Sequence, residues 1–397
     1  MIKLLNFQNK KINEIQIKFL IYSFVSIISL NFLFFSHRLF ERQNGYILGD
    51  WLINYSGGFT RRGFFGETVI FLSNFLSVNL IYLTYFFFCI LYVYFVFLLF
   101  KIISKTNFSF LKLIIVFSPA TFLFAFYDPL AAGRKEFLFF LFFCLYFLYR
   151  EKKSFIFFSP FIVSATILTH ELFAFLVPFL IISRYVKTKS KKLKDYNYEL
   201  FISTLLIIVF LFIYIFSDAN LVHTCNTIKN FGYNGNLCLS INDLNHFKNS
   251  EQKMFVFSHY ISDKNYVQYY LSFLILSIFP IFLFLKKNLN FNFFISTFLM
   301  MVSFLPFLIL FYFVNDWGRY IHIYTFLWML IFLSNKETKK IDINISKILI
   351  VMIFSISWYI PHCCPEIHFS KYKVKPGIFY LYERIHLRLT TENDMYK

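Results

Sequence analysis

Charge is scarce in this chain. Asp, Glu, Lys and Arg make up 15% of its 397 residues, where a soluble globular protein carries about 25%. That shortage, beside a hydrophobic fraction of 58% and a mean hydropathy of +0.61, excludes an ordinary soluble enzyme. Cysteine is scarce too: six residues are too few for a disulfide-built scaffold, and none stands at zinc-ligand spacing. Short repeats, low-complexity linkers and a separate soluble domain are all missing. No cleavable leader is evident, because residues 1–18 are polar and Lys-bearing and the first apolar run is too long for a signal core. Glycine is rare, with 11 in all, yet Gly45, Gly49, Gly57, Gly58, Gly63 and Gly66 crowd into residues 45–67.

What the chain has instead is long apolar runs, recurring about every 20–40 residues. They predict an all-α, polytopic integral membrane protein with about 11 transmembrane helices. Residues 1–397 form one membrane domain. Its expected features are an external glycine-rich loop and interfacial helix at 38–78, an external lid loop at 217–266 and a polar tail at 361–397. The net charge of +18 points to the bilayer rather than to nucleic acid, since Lys and Arg gather on cytoplasmic loops. With the N-terminus inside, inner loops hold 22 of the 39 Lys and Arg, and outer loops before the tail hold 11. Arginine runs the other way. Only Arg150 and Arg184 fall inside, whereas Arg38, Arg42, Arg61, Arg62, Arg134, Arg319, Arg384 and Arg388 fall outside. Arginine suits forked capture of phosphate or carboxylate. The apolar stretches at 136–149, 154–169 and 172–185 are short for a bilayer crossing, which needs about 20 residues. They predict a recess on the external side.

Four acid-and-base clusters stand at the external ends of spans. They are Asp50 with Arg61, Arg62 and Glu67; Asp128 with Arg134, Lys135 and Glu136; His170 with Glu171; and Asp316 with Arg319. Each has a plain alternative. Asp128-Pro129 opens an ordinary turn, Asp316 and Arg319 are spaced for a pair along a helix, and His322 fits a satisfied core position. Their common side favours function, because ionisable groups at membrane depth are costly and mark pathways or sites. Cations with a carboxylate in an external recess suit a lipid-linked phosphate or diphosphate carrying sugar. Asp50 and Glu171 are then the candidate catalytic carboxylates. Arg61, Arg62, Arg134, Lys135, His170 and Arg319 are candidates to bind substrate, with Trp51, Tyr55 and Trp317 placed to stack on sugar rings. Cys225 and Cys238 share one polar loop and pair if it faces an oxidising compartment.

This layout resembles the multi-spanning GT-C glycosyltransferase superfamily and the related bacterial O-antigen polymerases and ligases. The residues that carry the resemblance are Asp50 in the first external loop, Arg134, Lys135 and Arg319 on later ones, and His170-Glu171. It implies a membrane glycosyltransferase in surface glycan assembly, with its site on the external, periplasmic face of a bacterial inner membrane. The implied partners are a polyprenyl-linked sugar donor, a glycan or lipid-linked acceptor and the bilayer. No cofactor is expected. A divalent metal stays open because the family's first-loop acid is often one of two adjacent acids, and this chain has Asp50-Trp51. Two alternatives stay open beside it: a polymerase or ligase of whole oligosaccharide units, and a transporter of lipid-linked glycans.

The charge distribution generates a topology prediction. A cysteine at Ser56 should react with an impermeant thiol reagent applied from outside, and one at Ser190 should not. The reverse pattern would remove the shared external face from all four clusters.

Overall fold

A computed structural model describes residues 12–190, 192–233, 238, 264–314, 316–335 and 343–363. Among these the chain is all-helical. The principal helices are α1 (Glu14–Glu41), α2 (Gly63–Leu76), α3 (Leu80–Ser104), α4 (Phe110–Val116), α5 (Phe122–Tyr127), α6 (Phe137–Tyr149) and α7 (Lys153–Thr169). They continue as α8 (Val177–Thr188), α9 (Asn197–Phe216), α10 (Leu221–Asn230), α11 (Lys264–Lys287), α12 (Phe293–Phe313), α13 (Trp317–Ser334) and α14 (Ile345–Ile356). Asn and Ser side chains start many of them: Asn13, Asn79, Ser109, Asn292 and Asn344 each accept a hydrogen bond from a first-turn N–H.

Five helices, α1, α3, α9, α11 and α12, are long and apolar enough to cross a membrane. Their outward faces carry Phe, Ile and Leu, such as Phe19, Phe34, Phe86, Phe212, Phe279 and Phe298. The chain is thus an α-helical membrane protein, with these five helices of spanning length among the described residues. The remaining apolar helices are too short. The 13 residues of α6 rise only about 20 Å, against roughly 30 Å of hydrocarbon.

A single span expected over 108–126 is broken in two, and the cause is local. Pro119 has no N–H and drives the residue before it away from helix. Thr121 then caps the break: its hydroxyl lies 2.9 Å from the carbonyls of Ile115, Val116 and Ser118. The displaced Ala120 carbonyl is taken up by His322 Nδ1 at 3.0 Å. Broken backbone at membrane depth survives only where it is satisfied within protein, and His322 is the core residue expected.

Helix α13 is the centre of the molecule. Every side chain from Trp317 to Leu333 is buried, the mark of a helix enclosed on all sides. It packs on α4, α6, α11 and α12, while α3 packs on α6 and α7 on α9. The N-terminal end of α13 therefore opens into the middle of the helical assembly, beside the loops before α2, α6 and α8.

Candidate functional site

The glycine-rich loop is folded tightly on itself. Asn44 Oδ1 accepts from the Tyr46 and Ile47 amides, Asn54 Oδ1 from Ser56, and Gly58 turns back at φ +114°. A side chain at Gly66 would run into the Ile53 carbonyl, so only glycine lets α2 lie this close to the loop. Glu67 accepts the Tyr55 amide at 2.9 Å and serves the loop's backbone. The interfacial helix expected over 67–78 starts earlier, at Gly63. Its N-cap, Arg62, has φ +66°, a left-handed conformation that costs a non-glycine residue about 1–3 kcal/mol. Its side-chain contacts hold it there.

Those contacts are the heart of the site. The Arg62 guanidinium meets the Glu171 carboxylate in a fork, Nε to Oε2 and Nη2 to Oε1, both at 2.8 Å. Arg61 reaches the same carboxylate at 3.3 Å. On its other side Arg62 lies 3.4 Å from Asp50 Oδ1, which Arg134 approaches at 3.1 Å. Lys135 Nζ donates to the Arg62 carbonyl at 2.9 Å. Arg134 lies over the Tyr46 ring, 4.6 Å from its centroid, and 3.9 Å from Asp316. Arg319 pairs with Asp316 at 3.0 Å and with Glu136 at 3.4 Å, and His170 Nε2 lies 3.3 Å from that same Glu136 oxygen. The four clusters, far apart in sequence, form one network.

Arg61 and Arg62 are partly exposed, while Asp50, Arg134, Lys135, Glu136, His170, Glu171, Asp316 and Arg319 are buried. Arg61, Arg62, Arg134, Lys135 and Arg319 interleave with Asp50, Glu136, Glu171 and Asp316, while Glu67 turns to the Tyr55 amide and Asp128 to His362. Burial alone would push the Asp50 carboxyl up, but Arg134, Lys135 and Arg62 outweigh it and hold the group well below the usual carboxylate range. Glu171 is held low in the same way, its burial outweighed by Arg62 and Arg61. Burial and the nearby Arg62 lower His170, so its imidazole is neutral and Nδ1 accepts the Leu172 amide at 3.3 Å. Burial brings Lys135 down to about 8, against the pull of Asp50. Among the described residues Asp50 Oδ2, Arg134 Nε, Arg319 Nε and both Glu136 oxygens lack an aligned hydrogen-bond partner. Buried polar atoms in that state are rare and point to a ligand or water.

The aromatic expectations fare differently. Trp51 is fully buried among Phe65, Phe88 and Phe137, and its indole N–H donates to the Gly133 carbonyl at 2.9 Å. No face is open, so Trp51 packs the loop onto α3 and α6 and cannot stack on a sugar. Trp317 is likewise enclosed: it stacks on Phe311 at 5.1 Å with Tyr266 and Tyr270 at its edges. Tyr55 stacks on Phe59 and stays partly exposed.

Of the expected lid, residues 217–233 and Cys238 are described. They pack on the glycine-rich loop through Asn220 N to Gly57 O at 2.7 Å and Asp218 N to Phe59 O at 3.0 Å. Cys225 and Cys238 form a disulfide. Residues 239–263 and the tail beyond Cys363, with Arg384 and Arg388, lie outside the described residues. Three members of the site escaped the sequence reading: Tyr46, His362 and Cys363. His362 meets Asp128 twice, through its backbone N–H at 2.8 Å and Nδ1 at 2.6 Å. No spacing could have announced a contact across 234 positions.

Comparison with known proteins finds no matching family model, curated protein or solved structure.

The fork between Arg62 and Glu171 is open to a stability test. Glu171→Gln removes the buried carboxylate that Arg61 and Arg62 share, and breaking a buried pair in this way costs about 3–5 kcal/mol. Thermal unfolding in detergent should show that loss, and Arg62→Gln added to Glu171→Gln should recover part of it. Additive losses in the double variant would show that the pair is not coupled.

Proposed function

We propose that this chain is a membrane glycosyltransferase that takes its sugar from a polyprenyl-phosphate or polyprenyl-diphosphate donor at the external face, in surface glycan assembly. The observation that carries the reading is the gathering of four arginines and Lys135 around the buried carboxylates, with Arg134 Nε left without a hydrogen-bond partner. Such a site favours an added anion. A phosphate ester is the anion that these four arginines fit best by paired N–H donation, with Lys135 adding its charge. The same groups would stabilise the phosphate as it leaves the sugar's anomeric carbon. Beside them, the exposed Phe71 and Phe75 of α2 offer an apolar path for the donor's lipid chain from the bilayer to Arg61 and Arg62.

Asp50 is the proposed general base, taking a proton from the acceptor hydroxyl, and its unpartnered Oδ2 is the atom for that role. A carboxylate held so low by Arg134, Lys135 and Arg62 is a weak base at rest. A donor phosphate drawing on Arg62 and Arg134 would relax that hold, so basicity would rise as the donor binds. Glu171 releases Arg61 and Arg62 to the phosphate and is the second carboxylate of the site.

Asp50→Asn should cut glycosyl transfer about 10²–10⁴-fold at equal membrane level. Arg134→Lys should raise the donor KM more than it lowers kcat. Glu67→Gln, which touches only the loop backbone, should leave both parameters near normal. Transfer at the wild-type rate by Asp50→Asn would end the base assignment.

A second measurement follows from Lys135. Its ammonium contributes to anion binding below about pH 8 and is lost above it, so donor affinity should fall as pH rises through that value. In Lys135→Arg the fall should move to higher pH. An alkaline limb unmoved by this substitution would take Lys135 out of donor binding.

A further inference from the structure

After α14 the chain doubles back as an extended strap, residues 357–363, over the N-terminal end of α13. Gly318 N donates to the His362 carbonyl at 3.0 Å and Tyr270 OH to that of Pro361 at 3.2 Å. A side chain at Gly318 would collide with the Pro361 carbonyl, so the close approach is built into the sequence. The strap sets a carboxylate, an imidazole and a thiol side by side: donor atoms of Asp316, His362 and Cys363 all lie within 4.8 Å of one another. We infer that these three side chains form a binding site for a divalent transition-metal ion of the zinc type, at the edge of the cationic network.

The donor set itself selects the ion. One oxygen, one nitrogen and one sulfur suit zinc, whereas magnesium and calcium take oxygen. Ligand atoms around tetrahedral zinc stand about 3.3–3.8 Å apart, given bond lengths near 2.0–2.3 Å. From separations of up to 4.8 Å the set needs to contract by up to about 1.5 Å, a side-chain adjustment. Asp128 supplies the second observation. It holds the His362 ring through Nδ1 at 2.6 Å, the outer-sphere carboxylate arrangement that orients metal-ligating histidines and leaves Nε2 as the lone-pair nitrogen. Asp128 is fixed in turn by the Ala131 amide at 3.2 Å. Asp316 is buried, while His362 and Cys363 are partly exposed, so an ion has a way in.

Two guanidinium groups oppose the ion. Arg319 and Arg134 share Asp316 Oδ2 at 3.0 and 3.9 Å, and Tyr46 OH donates to it at 3.2 Å. Binding therefore depends on the thiolate joining the carboxylate, which together match the charge of a dication. The metal would then engage the Asp316 charge that Arg319 and Arg134 now share and leave them freer for an added anion. The site rests on its own ligands, independently of what the network's substrate is.

The test uses the full-length protein purified in detergent, stripped with a chelator and titrated with Co²⁺, then with Zn²⁺. The expected result is one Co²⁺ per chain, a thiolate-to-cobalt charge-transfer band, and its loss as Zn²⁺ displaces cobalt. Cys363→Ser should abolish the band, Asp128→Asn should weaken binding about 10–100-fold, and Cys364→Ser should leave both unchanged. Gel-filtration profiles that match the wild type certify each variant as folded, and Cys363→Ala replaces Cys363→Ser if that profile changes. No charge-transfer band, a band that survives both Cys363 substitutions, or one lost with Cys364→Ser would overturn the site.

Discussion

The site of this protein depends on charge that has been taken out of water. A carboxylate or guanidinium moved into a medium of low dielectric loses hydration worth several kcal/mol even after relaxation, and in a membrane protein no solvent stands ready to restore it. The fork between Arg62 and Glu171, extended through Asp50 and Arg134 to Asp316 and Arg319, is how that loss is offset. No member is tolerable alone. The loops carrying them are therefore held in one mutual arrangement, and the left-handed backbone at Arg62 persists because its side chain is anchored at both ends.

This mutual dependence also explains the pattern of burial around the site. Trp51 and Trp317 are spent on walls, filling space between loop and helices so that water does not reach the ion pairs from behind. Gly66 and Gly318 permit backbones to touch where a β-carbon would hold them apart. The ionic groups keep their open side toward Arg61, Arg62 and Tyr55, where exposure begins.

Much of this was legible in the sequence and some was not. Hydropathy announced an α-helical membrane protein, and the pairing of acids with Arg, Lys or His at the ends of apolar runs picked out clusters that the fold brings together, because both signals are local and chemical. Helix breaks were less legible: the Pro119 break within residues 108–126 appears only once Thr121 and His322 are seen to satisfy it. The aromatic assignments failed at Trp51 and Trp317 because an indole suits a sugar face and a packed core equally well. His362 and Cys363 were invisible because their partners Asp128 and Asp316 come from other parts of the chain.

Helix α13 has a consequence for how the protein meets the membrane. A segment with buried neighbours on every side, an arginine in its first turn and a histidine one turn later gains little from lipid, since it has no lipid-facing side and its charge is met by protein groups. It is stable in the membrane only when α11 and α12 flank it and Asp316 and Glu136 meet its charge. In the finished protein, the segment that organises the site has a protein environment in place of the bilayer.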